Sequence, residues 1–384
     1  MVDSLKKLIR NMIAFVFSLF PVQNRVVFIN FNGRGFGCNP KYIALEMLRE
    51  QVAAELIWFV HNLNEPLPSG IKKVKWGSLL FYYELATAKV IVTNVKNALP
   101  FYKRENQYLV QTWHGSNAYK YVEKEVENQL SPQYIAGSKE NSALTDLFIS
   151  DSPTTSQWYR DSFWCKCEIL ESGMPRNDIL QNGTVKDKER ILSSFDLSVD
   201  DKVILYAPTF RDNGSMNCYN IEFSKVLSAL SEKWPGKWYL LLRLHPNVHN
   251  SIKIEPEIAD RIVNAAEYGD AQELIFASDC LITDYSSICN DFMMMDKPVF
   301  LFTSDYEEYA HRGRGLKSNY DELPMPKNKT NQELVETIKK FDEKEYRKAI
   351  GKYKNKYFGI ADGKASERVV QRIEKMLDSD GGIK

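Results

Sequence analysis

Short apolar runs recur along this chain, and stretches with helical character stand between them. That alternation limits the possible folds more than any other feature. VVFINF (26–31) precedes a helical segment from Lys41 to Val52, and ELIWFV (55–60) precedes another from Leu79 to Thr87. KVIVTN (89–94), YLVQTW (108–113), LFIS (147–150) and CEIL (167–170) follow. After a polar stretch around 181–202 the rhythm restarts with KVILYAP (202–208), a helix from Phe223 to Lys233, and WYLLLRLHP (238–246). RIVNA (261–265), the helix Ala271–Ala277, CLITD (280–284) and PVFLF (298–302) complete it, before charged helical segments at about 331–350 and 363–378. Strands alternating with helices predict parallel sheets covered on both faces. The class is α/β, with two doubly wound, Rossmann-like domains at 23–188 and 189–384. A cleft is expected between them, and the last helix is a candidate to cross back to the first domain. At 384 residues the length suits two domains.

Lys plus Arg equals Asp plus Glu, 50 against 50, which argues against a dedicated nucleic-acid binder. The six cysteines fit neither zinc spacing nor a disulfide framework, so reduced thiols are expected, with Cys280 and Cys289 as small core residues. Residues 4–20 read SLKKLIRNMIAFVFSLF. The apolar part is too short to span a bilayer. No small-residue cleavage site follows it, and the chain passes directly into a strand. Lys6, Lys7 and Arg10 ahead of Leu, Ile, Met and Phe suit an amphipathic helix (1–22) lying in a membrane interface. The alternative is a helix packed on the protein's own surface.

In doubly wound sheets ligands bind at the carboxyl ends of strands, and the chemistry-bearing motifs fall there. The first is Gln111-Thr112-Trp113-His114-Gly115-Ser116, where Gly115 would let the backbone turn sharply and present His114 for proton transfer. A hydrogen-bonded loop histidine is the plainer alternative. The second is Arg243-Leu244-His245-Pro246-Asn247, where strand alternation would put Arg243 and His245 on one side as a pyrophosphate clamp. The third is Thr283-Asp284-Tyr285-Ser286-Ser287, leading into a helix; it reads as an anion site, a plain N-cap, or both. The Met293–Met295 run reads as core. Arg211 and Arg176 stand near turns after two further strands and read as ordinary surface arginines unless a phosphate meets them. There is no Walker A loop, no G-x-G-x-x-G and no zinc spacing, and the one D-x-D, Asp378-Ser379-Asp380, is in the C-terminal tail. Neither a metal nor a cofactor is expected.

Seven stretches in order carry a resemblance: QTWHGS (111–116), SGMPRND (172–178), YAPTFRDN (206–213), RLHPN (243–247), LITDYSSICNDF (281–292), DKPVFLF (296–302) and DGKASERV (362–369). CNPKYIALEML (38–48) adds an eighth. The chain resembles the CDP-glycerol glycerophosphotransferase family of teichoic-acid and capsule synthesis. The resemblance implies a GT-B-like fold with the donor held mainly by the second domain. It implies that His114 and His245 are the essential histidines. Thr209, Arg211, Arg243, Ser286 and Ser287 would hold the donor diphosphate, while Asp284 and Asp291 shape its loop. Gly115, Ser116, Arg176 and Arg368 are further candidates. The reaction implied is transfer of glycerol phosphate from CDP-glycerol, or ribitol phosphate from CDP-ribitol, to an undecaprenyl-diphosphate-linked saccharide or polyol-phosphate acceptor. CMP would leave, at the cytoplasmic face of the membrane. A nucleotide-sugar glycosyltransferase on the same architecture is the competing reading. Many members continue the His-Gly pair with Thr-Pro-Leu-Lys. Here the loop reads Ser116-Asn117-Ala118-Tyr119-Lys120, which directs attention to it for substrate choice.

Overall fold

The structure is a computed structural model that describes residues 2–96, 99–116, 118–211, 217–244, 254–311 and 315–379. The chain divides into two compact units. The first comprises Met1–Ser116, Val122–Asp178 and Gly359–Lys384; the second comprises Asn117–Tyr121 and Ile179–Phe358. This division falls at 178/179, ten residues before the expected boundary. It also groups the C-terminal helix, Ala365–Asp378, with the first unit.

Among the described residues the first unit carries β1 (Gln23–Ile29), β2 (Glu55–Val60), β3 (Ile71–Lys75), β4 (Ala88–Thr93), β5 (Tyr108–Gln111), β6 (Leu147–Ser150) and β7 (Glu168–Glu171). They form one sheet in the order β3-β2-β1-β4-β5-β6-β7, with every neighbouring pair parallel. The strands are nearly continuous apolar runs because both faces are covered. Along β1, Val26 and Phe28 join the cluster under the helices Cys38–Arg49 and Ala365–Asp378, while Val27 and Ile29 join the one under Leu79–Thr87. β3 is absent from the sequence reading. IKKVK buries only Ile71 and Val74 and exposes Lys72 and Lys75 more fully, as an edge strand does.

The second unit carries β8 (Lys202–Tyr206), β9 (Trp238–Leu242), β10 (Ile262–Asn264), β11 (Cys280–Thr283), β12 (Val299–Phe302) and β13 (Lys327–Asn328). Their order is β10-β9-β8-β11-β12-β13, again all parallel. Counted from the first strand of each unit, the second sheet reads 3-2-1-4-5-6, the dinucleotide-fold order, and the first reads the same with a seventh strand, β7, added at the edge. Each reverses direction beside its first strand, and ligands gather at the carboxyl ends there. In the first unit that point lies between β1 and β4; in the second, between β8 and β11. Met293 and Met294 are buried in the second core, along with Cys289, and Cys280 is buried on the other face of β11. The polar stretch at 181–202 contains a helix, Val185–Ser193, opened by a Thr184–Asp187 capping box.

Candidate functional site

At the switch point of the first sheet, Asn30 directly follows β1 and Asn94 directly follows β4, and both are buried. Asn94 Nδ2 donates to Asn30 Oδ1 at 2.8 Å, and the Phe31 N–H donates to Asn94 Oδ1 at 2.8 Å. The Asn94 backbone carbonyl lies 2.8 Å from His114 Nδ1. A carbonyl only accepts, so Nδ1 must carry the proton, and the lone pair of the neutral ring is on Nε2. Burial lowers the His114 pKa to about 4, outweighing the raising effect of the Asn94 bond; nearby Arg176 lowers it further. The ring is therefore neutral at physiological pH, half-buried, between Trp113 at 4.1 Å and Phe31 at 5.4 Å.

The left-handed backbone that turns the chain here belongs to Trp113, at φ 49°, and not to Gly115 as expected. A bulky residue in that region is strained and needs fixing by its surroundings. The fixing is visible. Asn39 Nδ2 donates to the carbonyls of Thr112 (3.2 Å) and Trp113 (3.1 Å), and the Arg176 N–H donates to Asn39 Oδ1 at 3.1 Å. Arg176 Nη1 donates to the His114 carbonyl, and Tyr159 OH donates to the Gly115 carbonyl at 3.0 Å. Arg176 is thus buried and holds the histidine loop; it is not a surface arginine. Ser116 is buried and hydrogen-bonds Asp151, whose carboxyl burial pushes upward in pKa. Arg368 Nη1 donates to the Ser172 carbonyl at 2.9 Å, and its guanidinium pairs with Asp362, so it secures the loop that carries Arg176. In that loop Gly173 stands at φ 83°, and a Cβ there would come within 2.9 Å of the Ile360 carbonyl oxygen.

At the switch point of the second sheet, Asp284 follows β11. Its Oδ1 accepts the N–H groups of Thr209 (2.8 Å) and Tyr285 (2.6 Å), and its Oδ2 accepts Arg211 Nη2 at 2.8 Å. Arg211 also binds Asp305 through Nε at 2.7 Å and the Thr209 carbonyl through Nη1 at 2.6 Å. Its carbon Cζ lies 5.0 Å from the Tyr285 ring and 4.7 Å from the Tyr309 ring. Burial alone would lower its pKa, but Asp284 and Asp305 raise it. At 4% exposure Arg211 is a fixed member of an ionic lattice that shapes the Thr209 loop. Lys120 Nζ lies 3.4 Å from the Thr209 hydroxyl. Tyr119 is buried with its hydroxyl on Asn290, so the loop that departs from the family pattern is anchored in the second core. Ser286 and Ser287 are half-buried. Ser286 Oγ accepts the Ile288 N–H at 3.4 Å, and Ser287 holds the N-cap position of Ile288–Met293 without a capping side-chain bond. Asp291 is buried in that helix. Arg243 lies just past the end of β9, so strand alternation does not extend to it; Nη1 donates to the carbonyls of Ala265 (3.2 Å) and Tyr268 (2.9 Å). His245 and Asn117 lie outside the described residues.

Asn39, Asn94 and Asp305 do not stand out as site residues in the sequence. Asn94 and Asp305 follow the strands β4 and β12 directly or closely, and a polar residue just past an apolar run was the available signal. Asn39 lies within the CNPKYIALEML stretch, but nothing in its spacing points to the histidine loop.

A teichoic acid poly(glycerol phosphate) polymerase of Bacillus spizizenii is 30% identical over 93% of this chain and 94% of its own length. A teichoic acid glycerol-phosphate transferase of Staphylococcus aureus is 30% identical over 97% and 99%. A teichoic acid poly(glycerol phosphate) polymerase of Staphylococcus epidermidis is 31% identical, and there the match spans 50% of the relative. A solved structure of the wall teichoic acid polymerase TagF superposes with a TM-score of 0.84 at 27% identity over 98% of both chains. UDP-N-acetylglucosamine 2-epimerase structures, such as one from Neisseria meningitidis at 13% identity and a TM-score of 0.51, share the fold. The CDP-glycerol:poly(glycerophosphate) glycerophosphotransferase family model matches residues 11–375, and the chain belongs to that family.

Proposed function

We propose that this chain transfers glycerol phosphate from CDP-glycerol to a lipid-linked saccharide or polyol-phosphate acceptor in teichoic-acid or capsule synthesis, releasing CMP. The observation that carries the reading is His114: a neutral imidazole at the first switch point, its Nδ1–H held by Asn94 and its basic nitrogen Nε2. The acceptor hydroxyl attacks the phosphorus that bears glycerol, the bond to the CMP oxygen breaks, and Nε2 takes the hydroxyl proton. In the second unit, Thr209, Ser286, Ser287 and Arg243 are the groups assigned to the donor diphosphate. Asp284, Asp291 and Arg211 hold the loops that present them. His245 keeps the donor-side role that the family resemblance gives it. CDP-glycerol is preferred to CDP-ribitol because the family model is that of a CDP-glycerol glycerophosphotransferase, and crystals of TagF, the structural neighbour at a TM-score of 0.84, were soaked with CDPG. The acceptor is assigned as an undecaprenyl-diphosphate-linked saccharide.

The helix Val2–Ser18 is read as lying on the cytoplasmic face of the membrane. Ile9, Met12, Phe15, Val16, Leu19 and Phe20 are exposed on or just after it, Arg10 is exposed too, and Leu79 and Leu80 at the start of the helix that packs against it are also exposed. Among the described residues no helix is long and apolar enough to cross a membrane.

The transfer reading is tested by CMP release from CDP-glycerol, CDP-ribitol and UDP-sugars with a short lipid disaccharide as acceptor. His114→Ala should lower turnover by about 10²–10⁴-fold and leave CDP-glycerol affinity nearly intact. Loss of affinity in proportion to rate would move the base elsewhere.

A further inference from the structure

Between the helix Pro153–Ser162 and the edge strand β7 lies Cys165-Lys166-Cys167. The two thiols are free, and their sulfurs stand 2.9 Å apart, closer than the van der Waals separation of two non-bonded sulfurs. The pair lies two residues apart in an irregular segment, with a bend at Cys167 and the left-handed Trp164 just before Cys165, and this backbone brings the two sulfurs together. The other four cysteines are buried singly in the cores or beside the Asn39 turn.

The setting is that of a reactive thiol. Lys96 is buried beside the pair, with its Nζ donating to the Phe163 carbonyl at 2.7 Å and to Ser142 Oγ, and lying 5.1 Å over the Phe163 ring. Burial lowers its pKa to about 8, with Glu123 opposing. Glu123 is itself bonded by Tyr134 and Ser138. The contact from Cys167 brings the Cys165 thiol below its ordinary range, helped by Lys96 and Arg160 and opposed by burial, while Cys167 moves up. Cys165 is 9% exposed, and Cys167 more so. A ring this small restrains an unfolded chain little, so a bond closed here is a labile one and not a structural staple. Cys165 packs with Phe148, Tyr159, Phe163 and Met174 in the cluster on which Trp113 rests, next to His114.

We propose that Cys165 and Cys167 form a redox modification site, a dithiol that a hydroperoxide converts to an intramolecular disulfide. The Cys165 thiolate attacks the peroxide oxygen. The O–O bond breaks, the departing alkoxide or hydroxide takes a proton, and the sulfur becomes a sulfenic acid. The Cys167 sulfur then attacks that sulfur, the S–S bond forms, and the hydroxyl leaves with the Cys167 proton as water. Two thiols are oxidised and one hydroperoxide is reduced to an alcohol or water. The site is independent of the transfer reaction.

The test uses the full chain treated with hydrogen peroxide at neutral pH, alkylated, digested with trypsin and mapped by mass spectrometry. Trypsin cuts after Lys166, so the closed pair joins two peptides that the reduced protein yields separately. The linked pair should appear, lighter by two hydrogens than the sum of the free peptides, and should vanish with dithiothreitol. Cys167→Ser should instead leave Cys165 as a sulfenic acid trapped by dimedone. The oxidation rate should rise with pH through a midpoint below that of an ordinary thiol. Full recovery of both alkylated thiols after peroxide, or conversion of Cys165 to sulfinic acid with Cys167 still alkylated, would overturn the proposal.

Discussion

Asn39→Leu keeps the branched shape of the side chain, in a somewhat larger form, and removes all of its hydrogen-bonding atoms. Asn39 is fully buried and bonds the Thr112 and Trp113 carbonyls and the Arg176 N–H. The Trp113 carbonyl keeps a bond from the Thr112 hydroxyl at 3.0 Å. The Thr112 carbonyl and the Arg176 N–H lose the bond that Asn39 supplied. Each such loss costs about 1–3 kcal/mol, so the variant should be destabilised by about 2–6 kcal/mol. In a unit of roughly 200 residues, about 2–4 °C per kcal/mol puts the fall in its melting temperature at about 4–24 °C. The activity effect follows from the same bonds. Arg176 holds the His114 carbonyl, and the left-handed Trp113 needs its carbonyl fixed, so loosening both lets the imidazole drift. A misplacement of about 1 Å costs on the order of 10²-fold in rate. Scanning calorimetry with CMP-release kinetics is the assay, and donor affinity should hold because these bonds lie in the first unit. A variant that melts with wild type and keeps its turnover would refute the chain of reasoning from Asn39 to His114.

Three further outcomes are expected. Arg243→Ala should weaken CDP-glycerol binding by roughly 10–150-fold, the equivalent of losing about 1.5–3 kcal/mol of charge-assisted bonding, and equal affinities by calorimetry would remove Arg243 from the donor site. The His114 resonance in an NMR titration should stay put from pH 7.5 to 5, because its pKa lies near 4. An unfolded imidazole takes its proton near 6.5. Stability should therefore fall as pH drops from 6.5 towards 4, by on the order of 3 kcal/mol at most, and be insensitive to this group above 6.5. Deleting residues 1–20 should weaken sedimentation with anionic liposomes, and unchanged sedimentation would clear the helix of that role.

The strands that position both sites were legible because parallel strands buried on two faces are unbroken apolar runs. Val26 to Ile29 and Cys280 to Thr283 announce themselves that way. β3 and β13 did not. One is a lysine-rich edge and the other is two residues long, so neither carries the burial that makes a pattern. The histidine loop was legible as a motif, but its mechanics were not. Gly115 looked like the turning residue, whereas Asn39, 75 residues before His114 in the sequence, makes Trp113 tolerable in a left-handed conformation. Arg211 and Arg176 show the same limit. An arginine after a strand reads alike whether it faces a ligand or a buried carboxylate, and only the fold brings Asp305 to Arg211 or the His114 carbonyl to Arg176.

The two switch points use one topology with opposite electrostatics, and each choice suits a different task. Around His114 the groups that fix the ring and its turn are amides and backbone carbonyls, with Asn30, Asn94 and Asn39 uncharged, and the nearby cation Arg176 also disfavours the imidazolium. A carboxylate in the place of Asn94 would favour the imidazolium and remove the lone pair that a base needs. With amides and burial instead, the ring stays neutral, and a negatively charged substrate arriving nearby would raise its proton affinity at the moment of use. Around Thr209 the supporting groups are ions: Asp284 and Asp305 are both paired with Arg211, closed over by Tyr285 and Tyr309. Breaking such a buried set by removing one member costs about 3–5 kcal/mol, because an uncompensated charge remains. A loop fixed that firmly can present hydroxyls and backbone N–H groups in one geometry, with little ordering cost left when a diphosphate binds.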